Sequence, residues 1–173
     1  MLSKEDLSEM LVNNVEEFNN AMDGTEIDLS ELDFSNNTIE SAKFDNVDLT
    51  SSTFADSKLV EVSFTNCDLT SVDFNRATLV ECTFNDSVLN GTDFSFATAD
   101  YCNFADADLA GAIFRDADLS SSDLSGAENL NACRFDDTTI WPDNENMPDD
   151  FDSTYTDDLS SLKDEEDNGF ENY

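Results

Sequence analysis

The sequence predicts an all-β solenoid, a chain wound into stacked coils of twenty residues, and three observations predict it. Residues 27–126 divide into twenty consecutive blocks of five without one insertion. The third position of the block is Leu, Phe or Ile in nineteen of them, with Ala99 the exception. Like residues then recur twenty apart. Leu29, Leu49, Leu69, Leu89 and Leu109 form one column, and Phe34, Phe54, Phe74, Phe94 and Phe114 a second. Ile39, Leu59, Leu79, Ala99 and Leu119 form a third, and Phe44, Phe64, Phe84 and Phe104 a fourth. A period of five matches neither the helical 3.6 nor the strand period of 2. It suits a chain that turns a corner every five residues and closes a square coil after four sides. Like stacked on like is expected where coils lie about 4.8 Å apart, the strand spacing of a sheet.

The elements follow in order. Residues 1–26 read as an N-terminal helical cap. Ser3 is the N-cap with Asp6 three residues on, close to a capping box. Leu7, Leu11, Val15, Phe18 and Met22 follow helical spacing, Asn13-Asn14 divides the segment into two short helices, and Gly24 ends it. A solenoid end exposes apolar surface and unpaired backbone, so the expected role is to cover Ile27, Leu32 and the first coil; a partner-binding helix is the alternative. Residues 27–126 form about five coils, with the small first position and the Leu/Phe third position pointing inward. Each buried Leu or Phe contributes roughly 1.5–3 kcal/mol against roughly 1–2 kcal/mol of backbone entropy per residue, so stacking of neighbours stabilises the fold. Residues 127–142 read as a C-terminal cap. The register breaks at Ala127-Glu128-Asn129-Leu130, one residue too long, and Phe135, Ile140 and Trp141-Pro142 follow. Trp141 either closes the end or seats a dimer contact through this cap. Residues 143–173 are rich in Asp and Glu and read as a disordered acidic tail, although Phe151, Tyr155, Leu159 and Leu162 keep a helical spacing that suits folding on a partner.

The blocks resemble the A(D/N)LXX motif of the pentapeptide-repeat family, and the resemblance covers 100 of 173 residues. It implies a right-handed quadrilateral β-helix and a non-enzymatic binding role. The family includes quinolone-resistance proteins that resemble duplex DNA in size and charge and bind DNA gyrase.

Charge and composition exclude much else. The chain has 41 acidic and 7 basic residues, no His, and a formal charge of −34. That argues against direct nucleic-acid binding, which needs basic patches, and against docking on an anionic membrane. The lack of His removes Ser-His-Asp and Cys-His catalysis and His-ligated zinc. No run approaches the roughly 18 apolar residues of a membrane span. There is no CxxC pair and no Gly-rich phosphate loop. A calcium loop starting at Asp106 fails at Ala110 and Ala117. No catalytic residue, cofactor or metal site is therefore expected. Cys67, Cys82 and Cys102 occupy the small inward position, and Cys133 lies in the cap. Buried free thiols and the absence of a secretory signal at the N-terminus point to a reducing cytoplasm.

The outer walls carry the remaining signal. Residues 27–126 hold 19 acids and 4 bases (Lys43, Lys58, Arg76, Arg115), a net −15. Five coils make a rod of about 24 Å, or about one charge per 1.6 Å of axis, where duplex DNA carries about one per 1.7 Å. The position before the inward residue reads Asp28, Asp48, Asp68, Val88, Asp108 on the first side. On the second side it reads Asp33, Thr53, Asp73, Asp93, Ile113. The seven aspartates of these ladders form the candidate interaction surface. With the resemblance, they imply a DNA mimic that occupies the basic groove of a DNA-binding protein such as a type II topoisomerase. The alternative is an assembly scaffold that meets a protein partner through Val60, Val80 and Tyr101 on the third side or Phe96 on the second, with acidity serving solubility or salt adaptation.

Overall fold

The computed structural model describes residues 2–22 and 27–154. Gly24, and Tyr155, Leu159 and Leu162 with the rest of the acidic tail at 155–173, lie outside the described residues.

Two short helices open the chain. In α1 (Lys4–Asn13) the Ser3 hydroxyl accepts from the Asp6 N–H at 3.1 Å, and the Ser3 N–H donates to the Asp6 carboxylate at 2.9 Å. These reciprocal bonds satisfy two of the donors a helix start leaves orphaned. Asn14 ends α1 and caps α2 (Val15–Ala21), its side-chain oxygen accepting from the Glu17 N–H at 3.3 Å. Leu7, Leu11 and Phe18 are buried in one core with the first coil. The Phe18 ring lies 5.2 Å from that of Phe44, edge to face. Asn19 serves the coil's open edge: its amide donates to the Ser41 carbonyl at 2.9 Å and its oxygen accepts from the Lys43 N–H at 2.9 Å. Those are backbone groups with no preceding coil to pair with.

From residue 27 the chain stacks on itself in parallel, each residue opposite the one twenty later. β1 (Ile27–Asp28) pairs with β3 (Val47–Asp48), Ile27 opposite Val47. The third side is the most regular. β2 (Thr38–Glu40), β4 (Lys58–Val60), β5 (Thr78–Val80) and β6 (Thr98–Asp100) form one four-stranded sheet. Single bridges keep the same offset on the other sides, as in Asp33 with Thr53 and Lys43 with Ser63. A twenty-residue revolution divided into five-residue units gives four sides. The third positions point inward as expected, and Leu29, Leu49, Phe54, Phe64 and Leu69 are fully buried.

The phenyl rings fill the bore in two interlocked columns. Along Phe34, Phe54, Phe74, Phe94 and Phe114, successive rings stack with centroids 4.9 to 5.2 Å apart. Phe44, Phe64, Phe84 and Phe104 stack at 4.8 to 5.2 Å. Between columns the rings meet edge to face, as with Phe64 and Phe74 at 5.8 Å. Both geometries suit the aromatic quadrupole and add about 0.5–1.5 kcal/mol per pair beyond burial. Small first-position residues complete the bore. Where they are polar they bond: the Ser52 hydroxyl donates to the Leu29 carbonyl at 2.9 Å, and that of Thr92 to Leu69 at 2.8 Å.

The corners are left-handed. Every fifth residue from Glu31 to Asp116 has φ between 52° and 72°, and of these only Gly91 and Gly111 are glycine. Many of these turns close with a bond to the carbonyl three residues back, such as Ala77 N–H to Phe74 at 2.9 Å. Positive φ at the third residue of a four-residue turn is the type II geometry.

The coiling continues past residue 126. Asp108 pairs with Glu128, but Ile113 pairs with Arg134 and Asp118 with Ile140, so the offset grows to 21 and then 22. The first surplus residue is taken up at Asn129 (φ 56°) and the 3-10 turn Leu130–Ala132. Leu124 still donates to the Asn146 carbonyl at 2.8 Å. The end is closed by aromatic rings: Trp141 lies 5.6 Å from Phe114, 5.2 Å from Phe135 and 4.9 Å from Phe151. Packing continues past 142: Met147 is buried and Phe151 packs on the core, while Asp149 and Asp150 between them face water.

All four cysteines are buried, and none is in a disulfide. Burial pushes the Cys67 thiol up to about 12. Contact with Cys82, together with burial, pushes that of Cys102 up. Native protein at mildly alkaline pH is expected to leave a water-soluble disulfide reagent unreacted, and denatured protein to consume four equivalents. Rapid labelling of the native state in a stopped assay would place a thiol outside the core.

Candidate interaction surface

The seven candidate aspartates lie in two columns. On the first side Asp28, Asp48 and Asp68 are successive neighbours, and Val88 separates them from Asp108. On the second side Asp73 and Asp93 are adjacent, while Thr53 stands between Asp33 and Asp73. Asp28, Asp33 and Asp68 are exposed; Asp48, Asp73, Asp93 and Asp108 are half-buried.

Each of the seven also holds a corner together. One carboxylate oxygen accepts from the backbone N–H two residues on: Asp48 from Thr50 at 2.9 Å, Asp68 from Thr70 at 3.0 Å, Asp93 from Ser95 at 2.8 Å. Asp28, Asp33, Asp73 and Asp108 do the same at 2.7 to 3.1 Å. This is the Asx-turn, and it explains why Asp recurs there. Asn103 makes the same bond to Ala105 at 2.8 Å without a charge. These aspartates therefore serve the fold whatever they bind, and the second oxygen is what remains for a partner.

Further carboxylates stand at the corners, where the sequence reading did not place a site. Asp56, Glu61, Glu81, Asp86 and Asp106 are exposed, and each occupies a left-handed position. The signal was present in the sequence: acids at the fifth position of the block are ones the repeat does not require.

Little within the coils neutralises this charge. Lys43, Lys58, Arg76 and Arg115 make no ion pair among the described residues. Lys4 of α1 does pair, with Asp28 at 2.5 Å, and bonds the Ser30 hydroxyl at 3.0 Å. The Lys4 ammonium, then the Ser30 hydroxyl and N–H, hold the Asp28 carboxyl at about 2. The depressed value fixes the sign. The pair stabilises the fold above the ordinary value of 3.8 and is lost as pH falls through about 2. For so exposed a pair the contribution is under about 1 kcal/mol. Lys4→Met is expected to lower the melting temperature slightly at neutral pH and to match the parent below about pH 2; a difference that persists in acid would assign Lys4 another role.

Among the described residues no group of three Cys, Asp or Glu side chains is placed to hold a metal ion, and no helix is long and apolar enough to cross a membrane.

Parallel coils of twenty residues, with carboxylates on their outer walls, define the class as an anionic β-solenoid. Residues 57–141 match the family model described as a pentapeptide repeat region. No curated protein matches it. Among solved structures it is similar to Rfr23, a pentapeptide repeat protein from the cyanobacterium Cyanothece. The two are 20% identical, with a TM-score of 0.29, over 62% of this chain and 65% of that one. It is similar to HetL from the cyanobacterium Nostoc, a pentapeptide repeat protein involved in heterocyst differentiation regulation, at 20% identity and a TM-score of 0.30, over 66% of this chain and 62% of that one. It is also similar to QnrB1, a plasmid-mediated fluoroquinolone resistance protein, at 14% identity and a TM-score of 0.39, over 64% of this chain and 70% of that one. The matches span just under two thirds of the Rfr23 and HetL chains.

Proposed function

We propose that this chain is a non-enzymatic binding protein whose acidic, right-handed quadrilateral β-helix of about five coils stands in for duplex DNA. Its partner is a DNA-binding protein of the type II topoisomerase kind. The helices α1 and α2 cap one end, and Trp141 with Phe135 and Phe151 caps the other. One observation carries the reading: carboxylates repeat at coil spacing along the rod while the four bases among them form no ion pair among the described residues. A surface whose carboxylates are left unpaired by its own cations keeps its field for a partner. Arginines and lysines that line a DNA groove would meet charge at the linear density they are built for.

Such association is fast and salt-sensitive. With the chain immobilised and a type II topoisomerase flowed over it, binding is expected at low salt and a steep loss at high salt. No binding at low salt, or binding indifferent to salt, would refute the proposal.

A further inference from the structure

Two corners differ from all the others. Phe96 and Tyr101 occupy successive left-handed positions, with φ of 61° and 55°. Their side chains are 52% and 71% exposed. Every other corner from 31 to 116 holds Glu, Asp, Asn, Ser, Arg or Gly. A bulky ring on a left-handed backbone is disfavoured, and here burial does not offset the cost. The two rings bracket β6, whose inward residue is Ala99 in place of the usual Leu, Ile or Phe. All three departures from the repeat fall within six residues.

The surroundings specify a ligand chemistry. β6 ends the four-stranded sheet, whose outward row reads Glu40, Val60, Val80, Asp100. Glu81 precedes Tyr101 in its corner column, since the Glu81 N–H donates to the Asp100 carbonyl at 2.8 Å. Asp116 follows Phe96 in the other column, since the Phe96 N–H donates to the Arg115 carbonyl at 2.8 Å. Arg76 holds its guanidinium carbon 5.7 Å from the Phe96 centroid, so this ring already receives one such cation. The ring and hydroxyl of Tyr101 have no partner among the described residues. An exposed aromatic face with carboxylates one coil away suits a guanidinium: the plane stacks on the ring while its N–H fork reaches a carboxylate. An ammonium has neither the plane nor the fork.

We propose that the Phe96–Tyr101 side is the anchor by which this solenoid takes up an arginine from the basic surface of its protein partner. The inference rests on the anionic-binding reading above and adds the side that makes the contact and the residue type it selects.

The test uses the full chain and two fluorescent homopeptides of equal length, one of arginine and one of lysine, followed by anisotropy at low salt. The parent is expected to prefer the arginine peptide by on the order of fivefold. Phe96→Asn combined with Tyr101→Asn is expected to abolish that preference and leave lysine-peptide affinity unchanged. Asn suits the left-handed corner, as Asn36, Asn46 and Asn66 show, so the melting temperature should hold or rise. Equal affinity of the parent for both peptides, or a preference that survives the double variant, overturns the anchor and leaves the anionic reading standing. A double variant that melts several degrees lower also overturns it, by giving the rings a structural role. Failure of both peptides to bind the parent overturns both readings together.

Discussion

Replacing Phe74 with alanine is expected to lower the unfolding free energy by about 3–5 kcal/mol. The ring is fully buried at mid-column. It stacks on Phe54 at 5.2 Å and Phe94 at 5.1 Å, and meets the edges of Phe64 and Phe84 at 5.8 and 5.9 Å. The substitution removes all four contacts. The backbone ladder on both sides of the coil, such as Phe74 N–H to Asp93 at 2.7 Å, resists collapse into the void. Phe96→Asn is the matched control. It removes the same side chain from an exposed corner and is expected to leave stability within about 0.5 kcal/mol. Urea unfolding of the two variants reads the difference. A loss below about 1 kcal/mol for Phe74→Ala would mean that the column is not packed as described.

The second large effect separates fold from binding at the same residues. Asp48 and Asp68 each use one oxygen to hold a corner. Asn reproduces the corner bond, as Asn103 does. Asp48→Asn with Asp68→Asn should therefore keep or slightly raise stability, since neighbouring anions about 5 Å apart repel by about 1 kcal/mol even in water. The same pair of changes should weaken topoisomerase binding by about tenfold for each carboxylate that meets a desolvated cation. Alanine at both positions should instead cost about 0.5–1.5 kcal/mol per lost bond. Thermal melting and a binding titration on the three proteins read both quantities. Undiminished binding by the asparagine pair would remove the first side from the interface.

How far the sequence foretold this follows from particular residues. The twenty-residue revolution was legible because Leu and Phe repeat in columns, and in a solenoid like stacks on like. The left-handed corners were not, since glycine marks only Gly91 and Gly111 among them, and Glu31, Arg76 or Tyr101 carries no such signal. Chain direction there is imposed by the ladder on both sides, which overrides local preference. The aspartates stand in columns because they recur twenty apart, but their bonds to the turn depend on side-chain rotation that spacing alone does not fix. Past Gly126 the coil persists with blocks of unequal length, so periodicity fades while pairing continues. The pairing of Asn19 with Ser41 and Lys43 was equally hidden, as it joins a helix to a coil edge more than twenty residues away.

Mimicry makes one demand that simple attraction between opposite charges does not: the solenoid and the duplex must compete for one site. A titration of a type II topoisomerase with this chain, repeated at rising concentrations of a short DNA duplex, tests that demand. The account predicts an apparent Kd that rises in proportion to duplex concentration, with no ternary complex at saturation. A Kd indifferent to DNA, or a stable complex that contains enzyme, duplex and chain together, would contradict it.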